Sequence, residues 1–402
     1  MTSASRGDRV PAPDDDILLL EDVLSEPGVG ARDFAAVVNR CAAALGVHQI
    51  VVYLADLQQR HLMPLTEIST PLDIDACLAG WAYRTLSLRV EESPTGEVMV
   101  WLPLVDGTER LGVMCVHSDA VDAATLRRSR SIAALLAMMV TSKRAYKETF
   151  VQRTRTETMQ LPAEMLRAYL PPRTIGNADV VSTAVLEPAY EVGGDAFDHA
   201  LTATTLHAAM LDSMGHDLAS GLTSVVTLAA CRNARRTGAD LPELVSCVDE
   251  ALAHWLPDQF CTGVLLQLEL TTGALRWINC GHPPPLLIRN QRLVDGALAV
   301  EADPPMGAPA TLLDAARRVH EISLEPGDRV LLYTDGVTEA RMQDGSLFGL
   351  DRFADSVIRA TAGGELAPET LRRLIHRLLD SEHSKLRDDA TILMVEWKPA
   401  PA

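Results

Sequence analysis

Val330-Leu-Leu-Tyr-Thr-Asp-Gly-Val-Thr-Glu-Ala-Arg341 runs an apolar strand-forming stretch into an acidic turn, and its reading decides the fold of the C-terminal half. Val330 to Thr334 has the length and composition of a buried strand, and Asp335-Gly336 stops it. The pattern recurs three more times. Ala208-Ala-Met-Leu211 ends on Asp212 and opens Ser213-Met-Gly-His-Asp217, while Asp195 sits in Val192-Gly-Gly-Asp-Ala-Phe-Asp198. Asp388 and Asp389 precede the apolar run Ala390-Thr-Ile-Leu-Met-Val-Glu396. A carboxylate at a strand end is held rigidly while facing the open rim of a sheet, which suits hard cations that need several oxygens. Taken singly, Asp at a strand end is more often a turn residue than a ligand. Four such sites in order, each at the mouth of an apolar strand, point to a metal centre.

Working outward, everything after Asp179 reads as short strands, Gly/Pro turns and a few amphipathic helices. Val264–Leu270, the turn Thr272-Gly273 and Ala274–Ile278 form a hairpin. Helices are predicted over Ala219–Arg236, ending at Gly238, and over Pro368–Leu379, where Leu371, Leu374, Ile375, Leu378 and Leu379 share a face. Hairpins with separated helices argue for an α+β sandwich rather than a doubly wound parallel sheet.

The chain of 402 residues suits two domains, because single cores seldom grow past about 250 residues. Residues 1–28 read as a polar, disordered lead-in. An amphipathic helix follows over Asp33–Gly46, then a strand over Gln49–Leu54 and a hairpin from Met99–Leu104 and Arg110–Val116. A long helix is predicted from Ala123 to Lys147, running on towards Met159, until Leu170-Pro171-Pro172 ends it. The expected division is a domain over 29–145, a connecting helix or linker over 146–172, and a second domain over 173–402.

A formal net charge of −18 argues against a nucleic-acid partner. The most apolar helical stretch, Ile132–Val140, is far short of the ~20 residues that span a bilayer, and no membrane association is expected. The N-terminus lacks the apolar core of a signal peptide, and the seven cysteines are scattered with no C-x-x-C pair. A cytoplasmic protein with reduced thiols is expected.

The motifs EVGGDAFD, LDSMGHDLAS, INCGHPPPLLI, VLLYTDGVTEAR with DGSLFG, and RDDATILMV span residues 180–396. In that order they resemble the metal-dependent protein phosphatases (the PPM, or type 2C, superfamily), and within it the SpoIIE-like branch. The resemblance implies a β-sandwich flanked by helices (α/β/β/α) with two Mn²⁺ or Mg²⁺ ions at one end. It implies that Asp212 bridges both ions and that the Ser213 carbonyl completes one of them. Asp335 and Asp388 would hold the first ion and Asp195 the second. Asp198, Asp389 and His282 would be outer groups, and motif alignment favours Asp388 over Asp389 as the direct ligand. His282 and His216 are expected to fix their loops before they act in proton transfer.

The implied activity is hydrolysis of phosphoserine or phosphothreonine on a protein. The implied substrate is an anti-sigma-factor antagonist in a bacterial partner-switching pathway. Residues 30–145, with VVYLADLQQRHLMPL and VWLPLVDGTERLGVMCV, resemble a GAF sensory domain. That resemblance implies an α/β domain able to hold a small molecule, to gate the phosphatase, and to form a homodimer through its terminal helix. One position departs from the PPM pattern, since many relatives have glycine where this chain has Asp217. A helix cap is the favoured reading of Asp217. An added charge that weakens catalysis is the other, and with it the alternative of a phosphatase-shaped module that binds phosphoproteins without turning them over. A two-metal hydrolase of small phosphoesters would need a basic enclosed pocket, and the stretches between the motifs show no obvious Arg/Lys cluster for one.

Overall fold

The computed structural model describes residues 31–65, 69–93, 96–191, 193–215, 217–309, 317–381, 386 and 388–399. The expected lead-in of residues 1–28 and the loop residue His216 lie outside them. Two compact units divide between Thr156 and Glu157, with Gly107–Glu109 grouped with the second.

The first unit contains α1 (Ala31–Leu45), β1 (Gln49–Ala55), β2 (His61–Pro64), β3 (Leu72–Asp73), α2 (Leu78–Thr85), β4 (Arg89–Glu92), β5 (Val98–Asp106), β6 (Glu109–Ser118), α3 (Ala123–Arg144) and α4 (Glu148–Thr154). Its sheet has the order β3-β2-β1-β6-β5-β4. Strand pleating sends alternate residues to opposite faces. Ile50, Val52 and Leu54 of β1 join Phe34, Val37, Ile132 and Leu136 in one core. Val51 and Tyr53 join Ala79, Tyr83 and Trp101 in another, on the α2 side. Helices on both faces explain why β1 is apolar from Ile50 to Ala55.

The long helix expected from Ala123 towards Met159 is interrupted within the stretch 146–172, expected as a connecting helix or linker. α3 ends at Arg144, Lys147 is extended, and α4 restarts at Glu148. The change of direction buries Phe150 edge-on against Phe34, with ring centroids 5.4 Å apart. The Leu57 N–H also donates to the Thr154 carbonyl at 3.1 Å. Burying an aromatic side chain outweighs the modest helix propensity of the residues at the break.

The second unit contains α5 (Leu161–Arg167), β7 (Thr174–Gly176), β8 (Val180–Glu187), β9 (Asp195–Leu201), β10 (Thr205–Ser213), α6 (Leu218–Arg236), α7 (Leu241–Trp255), β11 (Cys261–Glu269), β12 (Ala274–Cys280), β13 (Leu286–Arg289), β14 (Arg292–Leu293), β15 (His320–Ser323), β16 (Arg329–Tyr333), α8 (Asp335–Thr338), α9 (Leu350–Ala362), α10 (Ala367–Ser381) and β17 (Ala390–Trp397). One sheet has the order β15-β12-β11-β10-β9 and the other β14-β13-β16-β17-β8-β7. Val330, Leu332, Leu393 and Val395 belong to a core shared with the first sheet and with Leu228, Leu244 and Val248 of α6 and α7. Leu331, Tyr333, Ile392 and Met394, one residue out of phase, pack with Phe353, Val357, Leu371 and Leu374 of α9 and α10. This is the α+β sandwich flanked by helices that the strand grammar predicts.

Candidate active site

Antiparallel pairing brings strand ends together. β10 ends beside the start of β9, with Asp212 opposite Asp195, and it also pairs with β11, with Asp212 opposite Thr262. In the other sheet β16 ends beside the start of β17, with Tyr333 opposite Ile392. Asp195 and Asp212 therefore stand at one sheet's edge, and Thr334, Asp335, Asp388 and Asp389 at the other's. The two edges are tied by side chains. The Thr334 and Thr391 hydroxyls donate to Asp195 Oδ2 at 2.7 and 2.6 Å.

Asp195 is only 2% exposed. Burial, then the nearby charges of Asp389 and Asp212, push its carboxyl well above the ordinary carboxylate range. Asp212 is pushed up to about 7 by burial and then by Asp335, Asp388 and Asp389. Burial and the Asp388 charge raise Asp335 as well. Carboxylates that raise one another's pKa form a site whose charge is relieved by protons or by cations.

The donor set suits a hard divalent cation. Both threonines bond the same oxygen of Asp195, and among the described residues Oδ1 accepts no hydrogen bond. Asp212 is half-buried, and Asp335 and Asp388 are exposed, so their oxygens are accessible. As placed, no three His, Cys, Asp or Glu side chains among the described residues close to the spacing of a metal cluster.

Asp388 and Asp389 differ in burial and in partners. Asp389 turns inward, where its Oδ2 accepts the N–H groups of Gly193, Gly194 and Asp195 at 3.0, 2.9 and 3.2 Å. Asp388 is exposed, and its charge raises the pKa of Asp212 and Asp335. The glycines permit this packing, since a Cβ on Gly194 would lie 2.5 Å from the Ser213 carbonyl oxygen. The Ser213 N–H donates to the Gly194 carbonyl at 3.2 Å, and the Ser224 hydroxyl of α6 bonds both that carbonyl and Ser213 Oγ.

His282 is buried, and burial lowers its pKa to about 4, so the ring is neutral near pH 7. Its ring nitrogens contact Thr262 Oγ1 at 3.2 Å and the Tyr333 carbonyl at 3.1 Å. Asn279 bonds its backbone on both sides, at 2.8 Å each. His282 thus links β11, beside Asp212, to the end of β16, just before Asp335, and the loop-fixing reading is the one its contacts fit.

Asp198, expected among the outer groups of the metal site, lies on the opposite face of β9 from Asp195, three residues along. It is clamped there by Arg232 at 2.6 Å and Arg235 at 2.7 Å, both on α6. Pleating separates residues i and i+3 to opposite faces. Asp217 has φ −101° and caps α6, accepting the N–H groups of Ala219 and Ser220 at 2.9 and 3.1 Å. Sequence reasoning missed Thr334, Thr391, Ser224 and Thr262. Thr334 and Thr391 stand within two residues of an acidic motif, which is the signal that could have found them.

Comparison with known proteins adds a family likeness. Residues 202–398 match the model described as Stage II sporulation protein E (SpoIIE). Protein IcfG of Synechocystis is 26% identical over 150 residues, 36% of this chain and 22% of that protein. The chain thus spans about a fifth of the length of this curated relative. The SiaA-PP2C domain of Pseudomonas aeruginosa is 22% identical, covering 59% of this chain and 94% of that one, with a TM-score of 0.49. The RsbU and RsbW domains of a Mycobacterium tuberculosis protein are 23% identical, covering 57% and 63%, with a TM-score of 0.47.

Proposed function

We propose that the protein is a divalent-metal-dependent protein serine/threonine phosphatase, a reading supported by the match of residues 202–398 to the SpoIIE family model. The observation that carries the reading is the pairing of Asp212 with Asp195 at adjacent strand ends, with Asp335 and Asp388 close enough that they help push Asp212 up to about 7. Asp212 and the Ser213 carbonyl, with Asp335 and Asp388 on one side and Asp195 on the other, would hold two Mn²⁺ or Mg²⁺ ions. When bound, such a pair supplies a water of lowered pKa and polarises a phosphoryl oxygen.

The chain's own residues hold the constellation in place. Thr334 and Thr391 fix one oxygen of Asp195, Asp389 fixes the backbone that precedes it, and neutral His282 ties the ends of the two sheets. The chemistry needs no protein nucleophile, and the buried thiols Cys231, Cys261 and Cys280 are all raised by burial, away from the reactive thiolate. Asp217, the feature that favoured an inactive binding module, serves as a helix cap. The substrate we propose is a phosphorylated anti-sigma-factor antagonist, a reading supported by the SpoIIE likeness. The N-terminal unit, with its GAF-like sequence, is proposed as the regulatory part.

The test is turnover of p-nitrophenyl phosphate and of a phosphoserine peptide with Mn²⁺, Mg²⁺ or EDTA, for wild type and Asp335→Ala. Metal-dependent turnover that Asp335→Ala loses is expected. Wild-type protein inert with every metal would overturn the reading.

A further inference from the structure

Large apolar side chains stand exposed around the end of the sandwich that carries Asp212. Met214, two residues past Asp212, is 52% exposed, and Trp255, at the end of α7, is 70% exposed. Leu218 and Leu222 are exposed in the first two turns of α6, and Phe260 precedes β11. The topology puts them together. Ser213 pairs with Cys261, so Met214 and Phe260 are the next residues outward on adjacent strands. Leu218 and Leu222, four apart, share a face of α6. The Thr223 hydroxyl of that helix bonds Gln259 at 3.5 Å, tying α6 to the segment between Trp255 and Phe260. Burying such side chains is favourable, and clusters of them mark contact surfaces.

Resting on the phosphatase reading above, we propose that Met214, Leu218, Leu222, Trp255 and Phe260 form the docking surface for the phosphoprotein substrate, selecting a phosphoserine flanked by apolar side chains. The occupant follows from position. The phosphoseryl side chain is short, so a protein whose phosphate reaches Asp212 must lay its neighbouring residues over Met214 and Phe260. Exposed Asp217 and Asp258 border the same rim and disfavour acidic flanks. A substrate recognised this way offers an apolar surface beside its phosphorylated residue, and a basic phosphate pocket is not required for selection.

The experiment uses the full chain with Mn²⁺ and three labelled phosphoserine peptides of equal length, flanked by Leu/Ile, by Glu or by Lys. Binding is read by fluorescence anisotropy and p-nitrophenyl phosphate turnover is read separately. The apolar-flanked peptide is expected to bind about tenfold more tightly than the other two. Leu222→Asp and Phe260→Asp should each bring it to within about threefold of them, while Phe260→Leu keeps the preference. Circular dichroism confirms that the variants fold. No preference, a preference for Lys flanks, or a preference that survives both Asp variants overturns the docking surface. So does a dimer in sedimentation that the Asp variants split, since the rim would then be covered by a second copy. Turnover without flank preference defeats this inference alone, whereas flank preference without any turnover defeats the phosphatase reading and leaves the docking surface standing.

Discussion

Asp389 holds the backbone from which Asp195 projects: its Oδ2 accepts the Asp195 N–H at 3.2 Å, together with those of Gly193 and Gly194. One carboxylate oxygen thus serves three buried donors. Asp389→Ala leaves all three without a partner and is expected to lower stability by about 2–3 kcal/mol. Asp389→Asn keeps an acceptor oxygen and should lose less. Urea unfolding of both variants checks the order, and equal losses would show that the glycine loop does not depend on this acceptor.

Thr334, just past β16, and Thr391 of neighbouring β17 meet on Asp195 of the other sheet. If Asp195 ligates an ion, these hydroxyls orient it, and groups that orient metal ligands are typically worth 10–100-fold in affinity. Thr391→Val keeps the shape and removes the donor. Its Mn²⁺ affinity by calorimetry should fall by about tenfold. An unchanged affinity would remove Asp195 from the ligand set.

The strands that carry the acids were legible because each is a short apolar run stopped by an acidic turn, as in Val330–Asp335. The split of β16 and β17 between the two cores was not legible, because both strands are apolar on both faces. Nor were long-range partners. Thr391 and Asp195 are 196 residues apart, and Arg232 and Arg235 stand 34 and 37 residues from Asp198. Nothing in the spacing of GGDAFD says that α6 will cover that face of β9. The break after Arg144 was hidden for a related reason, because its local residues tolerate a helix and only the burial of Phe150 against Phe34 turns the chain.

Asp217 needs no special backbone conformation, and its cap bonds are ordinary. Asp217→Ala is expected to cost about 1 kcal/mol and Asp217→Gly only a few tenths, since glycine is itself acceptable at this position. Thermal unfolding measures both. Turnover of p-nitrophenyl phosphate should change less than about twofold in Asp217→Ala. A large gain in Asp217→Gly would show that the charge, rather than the cap, is the functional feature.

His199 is buried between Ser182 Oγ at 2.8 Å and the Pro172 carbonyl at 2.7 Å, and burial lowers its pKa to about 4. Its ordinary value is 6.5. The neutral ring is favoured by folding, so its contribution is fully present above pH 6.5 and is lost as pH falls towards 4. His282 titrates in the same sense. His199→Gln removes one of these two buried rings. Its stability should therefore fall by roughly 2–3 kcal/mol less than the wild type's between pH 7 and pH 4. Urea midpoints at several pH values give the comparison, and parallel pH curves would mean that His199 is not held neutral.

The Asp198 clamp separates structure from chemistry within one motif. Its two arginines are 18% and 16% exposed and the carboxylate 2%, so the pair is largely withdrawn from water. Removing one partner of a buried ion pair strands the other, which typically costs several kcal/mol. Asp198→Asn should therefore destabilise the protein by about 3 kcal/mol. Mn²⁺ affinity, measured at a temperature where the variant is folded, should stay within about twofold, because Asp198 faces α6 and not the carboxylates. Were Asp198 an outer group of the metal site, the same variant would lose 10–100-fold in affinity. Calorimetric titration beside urea unfolding reads both quantities on one sample. A large affinity loss with unchanged stability would reverse the assignment, returning Asp198 to the centre built by Asp195 and Asp212.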